Sequence, residues 1–360
     1  MDNVRASIFH KCALFAEQQY HAIVRSPDIV RLKVYAERKK QELKEREETI
    51  RRTQSNSSKW MELTQHQRRA KALYEQDTTQ FLEVTRARDT FLFQSVQLLS
   101  LCLEASDAYD SDATIRLCSL WFANFTTDAV NSSIPSAISK VPSRKFVFLA
   151  HQLSARLSVS ESSKISQNQL CLQQLLLRMC GEHPFHSLYQ VYSLQSSGLK
   201  AMSSTRRQSS STIIENSSQI ERATAAMNIF DQLKSIPASA DKARDLQILC
   251  DAYLEWAKFP IKSDKQFSEK KKRKEAFQIP SHLNIRKIAN LKVPVTTVHT
   301  PLDATMQYDD CIWINGYAAQ FDTAGGVNLP KISFCRGSDG RVYRQLVCLS
   351  TLFYFILFKL

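Results

Sequence analysis

From Ala6 to Gln94 apolar side chains return every three or four positions among polar and charged ones, a spacing that predicts long amphipathic helices. Ser26-Pro27-Asp28 marks a turn between two of them, and Pro27 is the only strong helix breaker of the stretch. Ser55-Asn56-Ser57-Ser58 predicts a second break, followed by a helix from near Trp60 towards Phe93. Phe91 to Phe125 is more apolar, with Leu98, Leu99, Leu117, Leu120 and Trp121 on either side of a polar patch from Ser106 to Asp112. That pattern predicts two core helices joined by a capped turn. The cadence recurs at Phe146 to Leu157, Gln169 to Cys180, Pro184 to Leu194, Ile220 to Leu233 and Ala243 to Lys258. Helices of about 12 to 25 residues in antiparallel succession, each too small to hold a core alone, point to an α-solenoid. No strict sequence period accompanies it.

After Lys258 the pattern changes. Lys262 to Glu275 is a run of charge, and Ile279-Pro280, Val293-Pro294 and Thr300-Pro301 forbid continuous helix, while Val293 to Val298 favours extended chain. Ile312 to Phe321, Lys331 to Cys335 and Arg341 to Val347 predict three short strands, with Gly337-Ser338-Asp339-Gly340 as the hairpin between the last two. Five of the seven glycines (316, 325, 326, 337 and 340) fall in this region, and none precedes Gly181. The predicted fold is mainly α: a helical array over 1–258, a basic linker over 259–290, and a small, incomplete antiparallel sheet over 291–347. An apolar tail, 348–360, follows.

Composition narrows the chemistry. The chain of 360 residues has a formal net charge of +13, concentrated in Arg31 to Arg52, where acids and bases interleave as on a solvated helix, and in Lys262 to Lys274. No aromatic interleaving or recognition-helix motif accompanies the charge, so direct, sequence-specific nucleic-acid contact is not expected. Lys270 to Lys274, KKKRK, reads as a nuclear import signal or as a solvated linker. Nine scattered cysteines without a C-x-x-C argue against a disulfide framework or a zinc site, and no secretory leader follows Met1. An intracellular protein with reduced, buried thiols is expected. His183-Pro184-Phe185-His186 places two imidazoles three apart with no third ligand evident, and is read as structural. Asp107, Asp110 and Asp112 mimic a calcium-loop spacing but lack its glycine and closing glutamate, and are read as a helix-capping turn. Arg206-Arg207 before serines offers a site for a basic-directed kinase, or only a loop.

The strand, Gly-Gly turn, strand with a lysine, and hairpin have the parts needed to cover a nucleotide: a turn close over phosphates and a cation beside it. A plain structural hairpin has the same outline, and neither a Walker A pattern nor GxGxxG is present. The block FDTAGGVNLPKISFCRGSDGRVYRQLV, Phe321 to Val347, closely resembles the start of the catalytic domain of the ATM-like (ataxia telangiectasia mutated) serine/threonine kinases, within the phosphatidylinositol 3-kinase-related kinase family. Upstream, Ile115 to Trp121 (IRLCSLW), Val141 to Phe146 (VPSRKF), Arg178 to Leu194 (RMCGEHPFHSLYQVYSL) and Leu249 to Lys258 (LCDAYLEWAK) are similar, in order, to segments of that family's helical FAT region.

The resemblance implies ATP-dependent phosphorylation of Ser-Gln and Thr-Gln sites in the DNA-damage response by a full-length parent, with ATP and Mg or Mn as cofactors. It implies a glycine-rich loop over ATP formed by Thr323, Ala324, Gly325, Gly326, Val327, Asn328 and Leu329, with Lys331 near the phosphates. The alternative for Lys331 is an exposed strand lysine with its charge in water. A nuclear location, a homodimeric parent and protein partners bound by the helices are also implied.

The chain departs from the family after Val347. There the family has a Lys-Gly and then a DDLRQD-type segment, whereas here Cys348 and LSTLFYFILFKL follow. The nucleotide-gripping lysine, the catalytic loop and the metal-binding segment have no counterpart in this sequence, so no catalytic residue is assigned. The chain itself is expected to be inactive and to bind no cofactor tightly. The 13-residue apolar run from Leu346 to Phe358 is short of the roughly 20 residues that span a bilayer as helix, and membrane association is not expected. The tail is read as intronic read-through, with a core-filling strand or an interfacial anchor as alternatives, and both ends are expected to be fragment ends. A second class of function, a non-catalytic helical module that binds partners or the intact kinase, stands beside the first.

Overall fold

Neither glycine nor proline occurs between Ser58 and Ala105, and the chain there is a single 48-residue helix. At 1.5 Å per residue it is about 70 Å long. The computed structural model describes residues 2–55, 57–158, 167–203, 210–261, 277–324, 330–348 and 356–359. These fall into two compact units, Met1–Pro142 and Ser143–Leu360.

The first unit holds α1 (Asp2–Arg25), α2 (Pro27–Arg52), α3 (Ser58–Ala105), α4 (Asp110–Ala123) and α5 (Asp128–Lys140). Ser26 and Ser57 cap α2 and α3, their hydroxyls accepting from the amides of Asp28 and Trp60 at 3.2 and 3.1 Å. The helix towards Phe93 and the core helix expected after it are one element. What changes near Phe91 is the set of neighbours: the first half of α3 lies along α2, and the second half packs with α1, α4 and α5. Composition follows burial there, not a chain break. Against α2 the seam is only half-buried, with Ile29, Leu32, Ala36, Lys39 and Leu43 at three- and four-residue intervals and a Lys39–Asp77 ion pair within it. Further on, Leu92, Val96, Leu99 and Leu103 are fully buried with Leu117 and Trp121 of α4 and Ile134 of α5. Asp110 and Asp112 fall in the first turn of α4, as a capping turn would have them, but the N-cap itself is Tyr109, which makes no side-chain cap bond. Asp112 is instead held by His10 at 2.7 Å and by Arg116, whose guanidinium also binds Glu17 at 2.9 Å.

The second unit begins with a 3₁₀ turn, Ser143–Leu149, then α6 (Ala150–Ser154), α7 (Gln167–Glu182), α8 (Pro184–Ser203), α9 (Ser210–Ser235) and α10 (Pro237–Lys258). Among the described residues six strands follow: β1 (Phe277–Gln278), β2 (Ala289–Pro294), β3 (Trp313–Thr323), β4 (Lys331–Gly337), β5 (Val342–Cys348) and β6 (Ile356–Lys359). The sheet runs β1-β3-β4-β5-β6, all antiparallel, with β2 also on β3. The three expected strands are β3, β4 and β5. The expected linker 259–290 is not all linker: Phe277 and Gln278 pair with Phe321 and Gln320, and Asn284–Arg286 form a short 3₁₀ turn beside α10. The expected boundary at residue 258 is also not where the compact units divide, because α6 to α10 group with the sheet. Residues 356–359 of the apolar tail pair with β5, Leu357 opposite Val347, which fits the strand alternative for that segment. KKKRK at 270–274 and Arg206-Arg207 lie outside the described residues. Among the described residues no helix is long and apolar enough to cross a membrane.

Two glycines are demanded by the backbone. Gly316 in β3 has φ +146°, and a Cβ there would lie 2.9 Å from the Ile288 carbonyl oxygen. Gly340 has φ +75° in the β4–β5 hairpin.

Candidate functional site

The β3–β4 connector is closed at its base by backbone. Thr323 pairs with Lys331, and the Ala324 amide donates to the Pro330 carbonyl at 2.8 Å. Thr323 and Ala324 thus stand at the mouth of the connector. Gly325, Gly326, Val327, Asn328 and Leu329 lie outside the described residues.

Strand alternation assigns the flanking side chains to two faces. Ser333 is opposite Gln345 and Lys331 opposite Val347, and these share the face against which α10 packs. Trp256 of α10, fully buried, donates from Nε1 to Ser333 Oγ at 2.9 Å and meets Phe321 edge-on with centroids 4.8 Å apart. One turn earlier, the hydroxyls of Tyr253 and Tyr317 lie 2.6 Å apart and within 2.8 and 3.1 Å of Gln345 Oε1, one phenol donating to the amide oxygen and the other to its neighbour or to that oxygen. Burial pushes the phenols of Tyr253 and Tyr317 well above their ordinary range, so both stay neutral.

Lys331 differs from both expectations. It is only 4% exposed, so it is not a solvated strand lysine. Its ammonium donates to the carbonyls of Trp256 at 2.6 Å and Ala257 at 3.0 Å in the last turn of α10, and to that of the C-cap residue Phe259 at 2.7 Å. An ammonium has three protons, and all three have partners. Lys331 is therefore the C-terminal cap of α10 delivered from a strand, placed where the helix dipole favours a cation. Burial pulls its pKa down to about 8. The expected place beside phosphates is not the one this geometry gives it.

The opposite face carries Asp322, Ile332, Phe334, Arg336, Val342, Arg344 and Leu346. Sequence reading passed over these residues. The signal was present in the period-2 alternation of KISFCRG and VYRQLVC, but which face is covered depends on α10, remote in sequence.

His183 and His186 sit at the start of α8. His183 Nδ1 shares a 2.7 Å hydrogen bond with the Tyr308 hydroxyl, and His186 Nε2–H donates to the Thr300 carbonyl at 3.0 Å. They tie α8 to the 300–308 segment. Desolvation lowers both pKa values. For His186 the cause is visible: Nδ1 is buried without a hydrogen-bond partner, so a second proton there would have no acceptor. Among the described residues no group of His, Cys, Asp and Glu is placed to hold a metal ion.

No protein-family profile matches the chain. Curated relatives do: it is 30% identical over 344 residues to the serine/threonine-protein kinase TEL1 of Cryptococcus neoformans, covering 95% of this chain and 10% of that protein. It is 31% identical over 268 residues to the serine-protein kinase ATM of Sus scrofa, covering 72% of this chain and 8% of that protein. Among solved structures, the FAT and kinase domain of CtTel1 superposes with a TM-score of 0.68 at 24% identity, over 95% of this chain and 21% of that one. A Tel1 kinase butterfly symmetric dimer superposes at 0.70 and 19% identity, over 96% of this chain and 14% of that one. The chain spans about a tenth of the length of the curated relatives it matches. With a helical region leading into a small antiparallel sheet, and this similarity over nearly its whole length, the chain belongs to the ATM/Tel1 serine/threonine-protein kinase family.

Proposed function

We propose that this chain is the junction of an ATM/Tel1-type kinase at which the FAT helices support the nucleotide-covering sheet. In a longer parent it would serve ATP-dependent phosphorylation of Ser-Gln and Thr-Gln sites in the DNA-damage response, with Mg or Mn on the nucleotide, in the nucleus and as a homodimer. The observation that carries this reading is the docking of α10. Through Tyr253, Trp256 and the Lys331 cap it fixes β4 and β5, the strands that bracket the nucleotide side of such a lobe. Thr323 and Ala324 would open the glycine-rich loop, residues 325–329 would cross the phosphates, and Ile332 and Leu346, paired on the face away from α10, would meet the base.

The chain by itself is proposed to be inactive. Phosphoryl transfer needs a cation on the phosphates, metal ligands and a group orienting the acceptor hydroxyl. Cys348 stands where the family resemblance places the lysine, and Lys331 is fully engaged with α10. The second reading, a non-catalytic interaction module, is favoured by the exposed apolar positions Val30, Val34 and Tyr35 of α2, a helix with no fully buried residue.

The parent protein tests the first reading. Incubated with ATP and Mn, it is expected to phosphorylate a Ser-Gln peptide at least about tenfold faster than its Ser-Ala counterpart, a difference of about 1.4 kcal/mol in barrier. Equal rates on both peptides, or no transfer to either, would count against it.

A further inference from the structure

The sheet has one face covered by α10 and another whose chemistry the kinase reading leaves unused towards the hairpin end. Phe334 pairs with Arg344, Arg336 with Val342, and Ile332 with Leu346, so these six side chains lie together on the face away from α10. Val342 is 58% exposed, Phe334 and Leu346 are half-buried, and Arg336 and Arg344 are exposed. α10 is the described helix that packs extensively on the strands, and it does so on the other side. What remains is an apolar platform on a sheet, and the usual cover for such a face is a helix.

The charges on the platform say which kind. Arg336 and Arg344 stand on a cross-strand diagonal, a separation of about 7–8 Å between backbone positions, with Phe334 and Val342 completing the quartet. Neither guanidinium has an ion-pair partner among the described residues. The nearest hairpin acid, Asp339, is occupied by Arg341 and by the Tyr343 hydroxyl. The acid on this face, Asp322, is opposite Ile332 and marks the other end, next to the β3–β4 connector. The platform is thus basic at the hairpin, apolar in the middle and acidic at the connector.

We propose that this face docks an acidic amphipathic helix. Its apolar stripe would lie on Phe334 and Val342, and its carboxylates would pair with Arg336 and Arg344, in forks that arginine makes better than lysine. The charge gradient orients it, with the acidic end over the hairpin. A nucleic-acid strand fits less well, because Val342 offers nothing to phosphate or ribose and the platform has a single aromatic ring. The proposal stands apart from the nucleotide reading, since it uses the hairpin end of the sheet and not the connector.

The test titrates the full 360-residue chain with a fluorescent amphipathic peptide of about 18 residues carrying leucine at i, i+3, i+4 and i+7 and glutamate beside that stripe. Parallel titrations use the same peptide with lysine for glutamate, and a thymidine oligonucleotide. The expected result is saturable binding of the glutamate peptide that weakens with added salt, drops at least about tenfold in the Arg336→Glu, Arg344→Glu double variant, and is partly transferred to the lysine peptide in that variant. Val342→Asp, which leaves both arginines in place, is expected to weaken it as well. Both arginines and Val342 are exposed, so an unchanged near-ultraviolet spectrum should accompany each variant. No saturable binding of the glutamate peptide, equal binding by the double variant, or tighter arginine-dependent binding of the oligonucleotide would overturn the proposal.

Discussion

Lys331 and Trp256 are joined twice: the ammonium nitrogen lies 2.6 Å from the Trp256 carbonyl oxygen and 4.8 Å from the centroid of the indole ring. One cation thus caps a helix end and sits on the aromatic face of the residue it caps, an arrangement strengthened by burial. Lys331→Met would leave the carbonyls of Trp256, Ala257 and the C-cap residue Phe259 without this donor. The expected cost is about 2–3 kcal/mol of unfolding free energy, read from urea denaturation, with Lys331→Arg recovering part of it. A Met variant as stable as the parent chain would show that the cap is dispensable.

Trp256 is the larger anchor. It is fully buried, bonded to Ser333 and packed on Phe321. Trp256→Ala is expected to cost about 3–5 kcal/mol, and Ser333→Ala about 1 kcal/mol, because the indole N–H would lose its buried acceptor. Loss of protection in the β3–β4 amides on hydrogen exchange, with α1 to α5 unaffected, would locate the effect in the second unit.

Gly316→Ala should destabilise by about 1–3 kcal/mol, since the positive φ and the close Ile288 carbonyl both oppose a Cβ. Gly340→Ala meets no neighbouring atom and should cost less, through its φ alone. A reversed order in thermal midpoints would mean that β2 and β3 are not as closely apposed as described.

Acid should weaken the second unit. His183 and His186 have folded pKa values below the ordinary 6.5, so the unfolded chain binds more protons than the folded one as pH falls through that value. Their contribution is fully present above 6.5 and is lost on descending towards the lowered folded values. Urea midpoints at pH 7.5 and 5.5 should differ in that direction, and His186→Gln, which keeps a donor for the Thr300 carbonyl but does not titrate, should shrink the difference. A gap unchanged by that substitution would assign the acid sensitivity elsewhere.

Much of this was legible in order along the chain. Scarce glycine and the 3–4 spacing located the helices, and clustered glycine with period-2 runs located β3, β4 and β5. What was not legible depends on contacts between distant positions. The apparent break near Phe91 is a change of packing partners along one helix, which local composition cannot distinguish from a boundary. Phe277 and Gln278 looked like the end of a charged linker because their strand partners, Phe321 and Gln320, come more than forty positions later. Lys331 carried the right charge for phosphate, yet its acceptors are main-chain carbonyls that no side-chain pattern records. The two histidines were read as structural from the sequence, where Tyr308 and Thr300 could not have been named as their partners.

The proposed role, supporting a nucleotide-covering sheet without itself gripping nucleotide, has a direct consequence for ligand binding. Calorimetric titration of the folded 360-residue chain with MgATP tests it most directly. No saturable binding is expected up to about 1 mM, a binding free energy weaker than about −4 kcal/mol. A dissociation constant in the micromolar range would contradict it.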